Sequence, residues 1–244
     1  MPELERAPAK LTVSLAVTGV RPDGYHLVDA EMVSLDLADE LEFGAGDELV
    51  VLDEARSGME VRAGPDNLVA RALALVGRRA RVVLRKRIPA GAGLGGGSSD
   101  AAAVLRWAGR GDDIDLAMTL GADVAFCLRG GRARVRGIGE VVEALPALDR
   151  VFTLLTPPFG CSTPVVYRRW DALGSPVGAR NDLESAALAA YPDLARWRDE
   201  LAEATGVAPT LAGSGSTWFV EGAFPGPGRV VTRTDRPGGA VGRA

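Results

Sequence analysis

Histidine is nearly missing from this sequence, with His26 the only one among 244 residues. A histidine-built metal site is excluded, and so is a Ser-His-Asp triad unless His26 itself is the base. Cys127 and Cys161 are the only cysteines. They are too few for a disulfide framework and lack metal-ligand spacing, which points to a reducing, cytoplasmic setting. No apolar run is long enough to span a bilayer, and Met-Pro-Glu-Leu-Glu-Arg at the start leads into no signal-peptide core, so no membrane association is expected. Basic excess is lacking too. A net charge of −4 argues against nucleic acid as a partner, although a local pocket can still be positive.

Lysine is almost as scarce as histidine. Of the 28 Lys+Arg residues, only Lys10 and Lys86 are lysines. Arginine serves well on solvated surfaces but cannot replace a compact ammonium that must reach into a tight site. The two surviving lysines therefore mark candidate functional positions.

What is present suits one large domain or two modest ones sharing a cleft, able to bury a real core. Residues 10–18 alternate, with Leu11, Val13, Leu15 and Val17 on one face and Lys10, Thr12, Ser14 and Thr18 on the other. That pattern predicts a half-buried strand whose polar face begins with Lys10. Arg21-Pro-Asp-Gly24 is a turn signal before a second strand over 26–37. Further strands are expected at 39–43, 48–53, 59–62, 81–84, 132–136, 150–155, 216–220 and 229–233. Helices are expected at 67–76 behind an Asp66-Asn67 cap, from Ser98 to Trp107, and over 113–120, 163–172, 182–190 and 193–204. Strands first and helices later, without regular alternation, predict an α+β fold. A boundary near 145–150 divides it into residues 1–148 and 149–244, and a frayed tail is expected after Arg236.

The strongest local signal is Pro89-Ala90-Gly91-Ala92-Gly93-Leu94-Gly95-Gly96-Gly97-Ser98-Ser99. Five glycines within 91–97 let a backbone approach an anion closely, and two hydroxyls follow at the first turn of a helix. Helix N-termini carry partial positive charge and unpaired N–H groups, so phosphate belongs there. A flexible linker would not sit between a strand and a strong helix. Gly91–Gly96 formally fits G-x-G-x-x-G, but Lys86-Arg87-Ile88-Pro89 separates it from its strand and it lies mid-chain. The run also ends Gly-Ser-Ser, without the lysine of a Walker A loop.

This loop resembles the second motif of the GHMP kinases. Pro8-Ala-Lys10-Leu-Thr-Val-Ser-Leu is similar to their first motif, and Leu211-Ala-Gly-Ser-Gly-Ser-Thr217 to their third. Finer matches are similar to a branch whose acceptor is a cytidine diphosphate-linked alcohol. They are Gly19 with Arg21–His26, Leu120–Leu128, Ser162–Tyr167 and Arg180–Glu184. The resemblance implies a two-domain GHMP kinase fold, with an N-terminal domain like ribosomal protein S5 domain 2 and a ferredoxin-like C-terminal domain. It implies ATP and Mg²⁺ as cofactors, a small-molecule substrate, and a monomer or weak homodimer.

Residue by residue, it implies Asp123 as general base and Lys10 beside it, stabilising charge on the transferred phosphoryl group. Residues 89–99 would hold ATP, with Ser99 a candidate metal contact and no protein metal site otherwise. Lys86 would contact substrate, Tyr25 and Tyr167 would sandwich the cytosine ring, and His26 would bond its polar edge. Thr12 and Thr163 would line that pocket.

The residues by themselves also allow plainer roles. Asp123 could cap a helix starting at Val124, Lys10 could guard a sheet edge, and Thr163 could cap a helix at Pro164. Tyr25 could be a core aromatic, His26 an exposed turn residue and Cys127 a buried small hydrophobe. Thr12 stands where the family usually has Asn, and Ala125 where it has Pro. The alternatives are a GHMP kinase of homoserine or mevalonate type, or a non-catalytic nucleotide-binding module.

Overall fold

The computed structural model describes residues 2–55, 59–178 and 180–235. The first half is built on a long antiparallel hairpin of β1 (Glu3–Val20) and β2 (His26–Gly44). The predicted strands at 26–37 and 39–43 are one continuous strand, because residues 37–39 carry no turn-forming glycine or proline. The predicted turn joins β1 to β2, with Gly24 at φ +86°, a conformation that suits glycine. There follow β3 (Leu49–Asp53), α1 (Leu68–Leu75), β4 (Arg81–Lys86), α2 (Gly96–Trp107), α3 (Ile114–Leu120), α4 (Ala122–Arg129), β5 (Arg132–Gly137) and β6 (Val141–Ala144). Their sheet runs β3-β4-β2-β5-β6 with β1 also on β2, and only the β3–β4 pair is parallel.

The second half contains β7 (Val151–Leu155), α5 (Thr163–Ala172), α6 (Glu184–Ala190), α7 (Leu194–Thr205), β8 (Thr210–Leu211), β9 (Trp218–Glu221) and β10 (Arg229–Arg233). Its antiparallel sheet has the order β10-β7-β9-β8. The chain passes from one sheet to the other between Ala144 and Val151. This segregation is the predicted α+β class. Residues 59–62 form no strand, whereas the short strands β6 and β8 escaped prediction. The tail after Arg236 lies outside the described residues. Among those residues, no helix is long and apolar enough to cross a membrane.

Local chemistry explains several boundaries. The Asn67 side chain accepts from Val69 N at 2.9 Å and opens α1, and Asp113 does the same for α3 through Leu116 N at 2.9 Å. Helix α2 buries Ala101, Ala102, Ala103, Val104 and Leu105, and its small side chains let it lie close against the first sheet. One core unites Leu41, Phe43, Val82 and Leu84 with Leu155 and Trp218 of the second half. A second cluster joins Leu11, Leu35, Ile88, Leu94, Phe152 and Phe219. Ile88 and Leu94 flank and occupy the glycine run, and each such burial contributes about 1.5–3 kcal/mol. The run is anchored in the core at both ends and cannot act as a linker.

Residues 180–182 run beside β1 and tie the halves together. Leu15 N donates to Arg180 O at 2.9 Å, and Asp182 N donates to Leu15 O at 3.0 Å. The Asp182 carboxylate also accepts from Val17 N at 2.8 Å and Gly178 N at 2.7 Å.

Candidate active site

The first part of the polar face of β1 is buried along with its apolar face, contrary to the half-buried expectation, whereas Ser14 is half-buried and Thr18 exposed. Lys10 is only 6% exposed and Thr12 only 2%. The reason is that two glycine loops close over them. Register slips between Pro8 and Lys10, and the Lys10 N–H donates to Leu94 O of the first loop at 2.9 Å. A methyl group on Gly95 would lie 2.6 Å from Lys10 Cγ, so that close approach requires glycine. From the other side, a methyl group on Gly213 would lie 3.7 Å from Lys10 Nζ and 3.6 Å from Thr12 Oγ1.

The loops also touch each other. Thr217 N donates to Ala92 O at 3.1 Å, and a methyl on Gly93 would sit 2.5 Å from the Gly215 carbonyl oxygen. The second loop is held from below by Asn181, whose amide donates to Leu211 O at 2.9 Å and Gly213 O at 2.7 Å. A cleft of about 740 Å³ opens beside the first loop, walled by Val61, Pro65, Asn67 and Leu68 opposite Gly91–Gly97. The N-terminus of α2 begins at Gly96, within that wall.

Asp123 lies in the first turn of α4, after Gly121, and its carboxylate Oδ2 is 3.3 Å from Lys10 Nζ. Lys10 Nζ also donates to Thr12 Oγ1 at 3.2 Å. Asp123 does not cap its own helix by a side-chain hydrogen bond, and it is 37% exposed. An open carboxylate beside a buried ammonium suits a base that must meet a substrate hydroxyl.

Lys86 is among the residues that line the cleft beside the first loop. It is buried, with its ammonium bonded to Asp39 and, at 2.7 Å, to Asp100. Asp39 also accepts from Arg87 N at 2.5 Å and Ile88 N at 2.8 Å, so it holds the chain where β4 turns into the loop. Burial alone would lower the Lys86 pKa, but the Asp100 and Asp39 charges outweigh it and raise it. Burial pushes Asp100 up to about 7 against the pull of Lys86. The buried Ser99 hydroxyl donates to Pro8 O at 2.7 Å and braces the loop on β1. Ser98 stands one position before it in α2.

On α5, Tyr167 packs against His26, with ring centroids 4.5 Å apart and planes at 33°. Nothing else fits between those two rings. Tyr25 is 61% exposed, with the Arg21 guanidinium 6.0 Å from its ring, and is no core aromatic. His26 is not an exposed turn residue, since Trp170 lies edge-on at 5.7 Å and Asp171 Oδ1 is 2.9 Å from Nε2. The Tyr167 hydroxyl pKa is raised by burial and further by the Asp123 charge, which places the His26–Tyr167 pair within electrostatic reach of the base. Thr163 is the first residue of α5 rather than its cap, and its hydroxyl pairs with Ser214 of the second glycine loop at 2.9 Å. Cys127 is buried, which pushes its thiol up to about 12 and leaves it inert.

Residues 67–131 match the model of the GHMP kinases N terminal domain. The chain is 40% identical to the 4-diphosphocytidyl-2-C-methyl-D-erythritol kinase of Paracoccus denitrificans, over 88% of this chain and 85% of that protein. It is 37% identical to the protein of the same name from Ruegeria pomeroyi, over 95% of each. A crystal structure of 4-(cytidine 5'-diphospho)-2C-methyl-D-erythritol kinase superposes with a TM-score of 0.74 at 31% identity, over 96% of this chain and all of that one. The chain belongs to the GHMP kinase family, among the 4-diphosphocytidyl-2-C-methyl-D-erythritol kinases. Its two halves form the two-domain α+β fold of that family.

Within this GHMP kinase, sequence reasoning missed Asp39, Asp171, Ser214 and the wall at 60–68. Asp39 lies in a strand pattern where a carboxylate would ordinarily face water. Asp171 follows Tyr167 by one helical turn, a spacing that could have paired it with His26 once α5 was assigned.

Proposed function

We propose that this kinase transfers the γ-phosphoryl group of ATP to the 2-hydroxyl of 4-diphosphocytidyl-2-C-methyl-D-erythritol. The observation that carries the proposal is the meeting of Lys10 and Asp123 beneath two glycine loops, with the packed His26 and Tyr167 rings alongside. In this mechanism the loop N–H groups and the positive end of α2 hold the triphosphate. Asp123 takes the proton of the acceptor hydroxyl as its oxygen bonds to the γ-phosphorus and the bond to the ADP oxygen breaks. Lys10 orients Asp123 and neutralises charge growing on the transferred group. Thr12 fixes the ammonium, and Thr163 fixes the second loop against α5.

Among the described residues, no group of three His, Cys, Asp or Glu side chains could hold a metal ion. The Asp100 Oδ1 atom is unpaired but buried, and the Ser99 hydroxyl already donates to Pro8 O. Those residues do not fit a protein-held Mg²⁺, so Mg²⁺ enters this proposal on the nucleotide phosphates, where such ions keep much of their water. The enzyme would act in the cytoplasm as a monomer or weak homodimer, with Lys86 supporting the nucleotide loop and Tyr25 free to cover a bound base.

An ADP-release assay with 4-diphosphocytidyl-2-C-methyl-D-erythritol, homoserine and mevalonate tests the proposal. Turnover should require the first. ADP release with either of the others and none with the first would overturn it.

A further inference from the structure

Helix α5 surrounds the only histidine of the chain with one face. Tyr167, Trp170 and Asp171 stand three and four positions apart on that helix, so they project together. The His26 side chain is 11% exposed, and the Tyr167 ring at 4.5 Å and the Trp170 edge at 5.7 Å hold the plane of its ring. Its Nε2 lies 2.9 Å from Asp171 Oδ1. An ionised carboxylate only accepts hydrogen bonds, so Nε2 must carry a proton. In the neutral ring, Nδ1 is then a lone-pair acceptor. No described residue bonds to Nδ1.

We propose that Asp171 is a specificity-positioning residue: by fixing the Nε2–H form of His26, it makes Nδ1 an acceptor that selects cytosine over uracil in the phosphoryl acceptor. This rests on the function proposed above. Cytosine presents a donating amino group at the position where uracil presents an accepting carbonyl. An acceptor facing that carbonyl leaves two buried lone pairs opposed and unpaired, whereas the amino group satisfies it. The aromatic faces bind either pyrimidine alike, so discrimination falls to the imidazole nitrogen and therefore to the side chain that sets its proton.

The test compares the wild type, Asp171→Asn and Asp171→Ala. Two measurements are made at pH 8: kcat/KM with the cytidine-linked and uridine-linked acceptors, and the imidazole ¹⁵N spectrum of histidine-labelled protein. With one histidine in the chain, that spectrum needs no assignment. The wild type should show the Nε2–H form and prefer the cytidine acceptor by about 100-fold or more. Asp171→Asn can donate its amide N–H to Nε2, which moves the ring proton to Nδ1, as carboxylate-to-amide changes beside a histidine do. The preference should then shrink by about tenfold or more through lost cytidine turnover and gained uridine turnover. Asp171→Ala should give mixed tautomers and an intermediate preference.

A wild-type Nδ1–H form, or a cytidine-to-uridine ratio unchanged in both variants, would overturn the proposal. A fall in turnover of both acceptors by the same factor is the mark of a merely structural role and would overturn it too. If the wild type turns over neither acceptor, the substrate assignment fails instead, while the spectra still report whether Asp171 sets the tautomer.

Discussion

The ammonium of Lys10 and the carboxylate of Asp123 lie 3.3 Å apart, one on a strand and the other in the first turn of a helix. Lys10 is sealed by two loops, while Asp123 remains open to a substrate. Such a pair divides phosphoryl transfer into charge neutralisation and proton removal. Asp123→Asn keeps the shape and removes the base, and Lys10→Ala removes the cation. Each should lower kcat by about 100-fold or more, as deleting a transition-state group does. Steady-state ADP release with the cytidine-linked acceptor checks this, and unchanged kcat in either variant would refute the role assigned to that residue.

Asp39 makes a second prediction, one of stability. Its two oxygens satisfy the buried Lys86 ammonium and the backbone N–H groups of Arg87 and of buried Ile88. Asp39→Ala strands those donors at the root of the nucleotide loop. Breaking a buried pair on one side is expected to cost about 3–5 kcal/mol. Asp39→Asn retains an acceptor and should cost less. Urea-unfolding midpoints rank the two variants, and equal loss in both would show that the carboxylate charge and the backbone bonds are not separable here.

How much of this arrangement was legible in the sequence depended on whether the partner was near along the chain. Asn67 and Asp113 were readable as caps or helix starts because each bonds a backbone N–H within three residues. Lys10, Asp123 and the loops at 91–97 and 211–217 were found through motif order, and the structure brings them together. How Lys86 and Ser99 are held was not legible, because their partners Asp39 and Pro8 lie 47 and 91 residues away. The burial of Lys10 and Thr12 on the polar face of β1 was equally hidden. It arises only when loops from two parts of the chain fold over it, and alternation within a strand carries no record of that.

The buried triad of Lys86, Asp39 and Asp100 predicts a pH dependence. Burial raises the Asp100 pKa to about 7 from an ordinary 3.8. Between those values the folded state holds a proton that the unfolded state has released, so stability falls as pH rises from about 4 to 7. The penalty is absent below that window and complete above it. Asp100→Asn keeps an acceptor for Lys86 and has no charge to bury. The stability difference, Asp100→Asn minus wild type, should therefore grow more positive from pH 4 to 7.5 in thermal or urea melts. A flat difference across that range would mean that Asp100 stays ionised throughout.

Gly93 makes a prediction about how the two loops meet. Its φ of +77° is a region that side chains enter reluctantly, and a methyl group there would sit 2.5 Å from Gly215 O and 2.8 Å from Ala212 O. Both are backbone atoms, so no side chain can swing aside. Gly93→Ala must either open the contact between the loops or distort the first loop, at a cost of about 1–3 kcal/mol in backbone strain alone. Opening the contact also weakens the bond from Thr217 N to Ala92 O and lifts the cover over Lys10. The variant should thus bind ATP about tenfold or more weakly, because N–H groups no longer converge on the phosphates, a change of about 1.4 kcal/mol. Calorimetric titration with ATP measures it. Wild-type affinity in Gly93→Ala would show that the loops close over the nucleotide independently of each other.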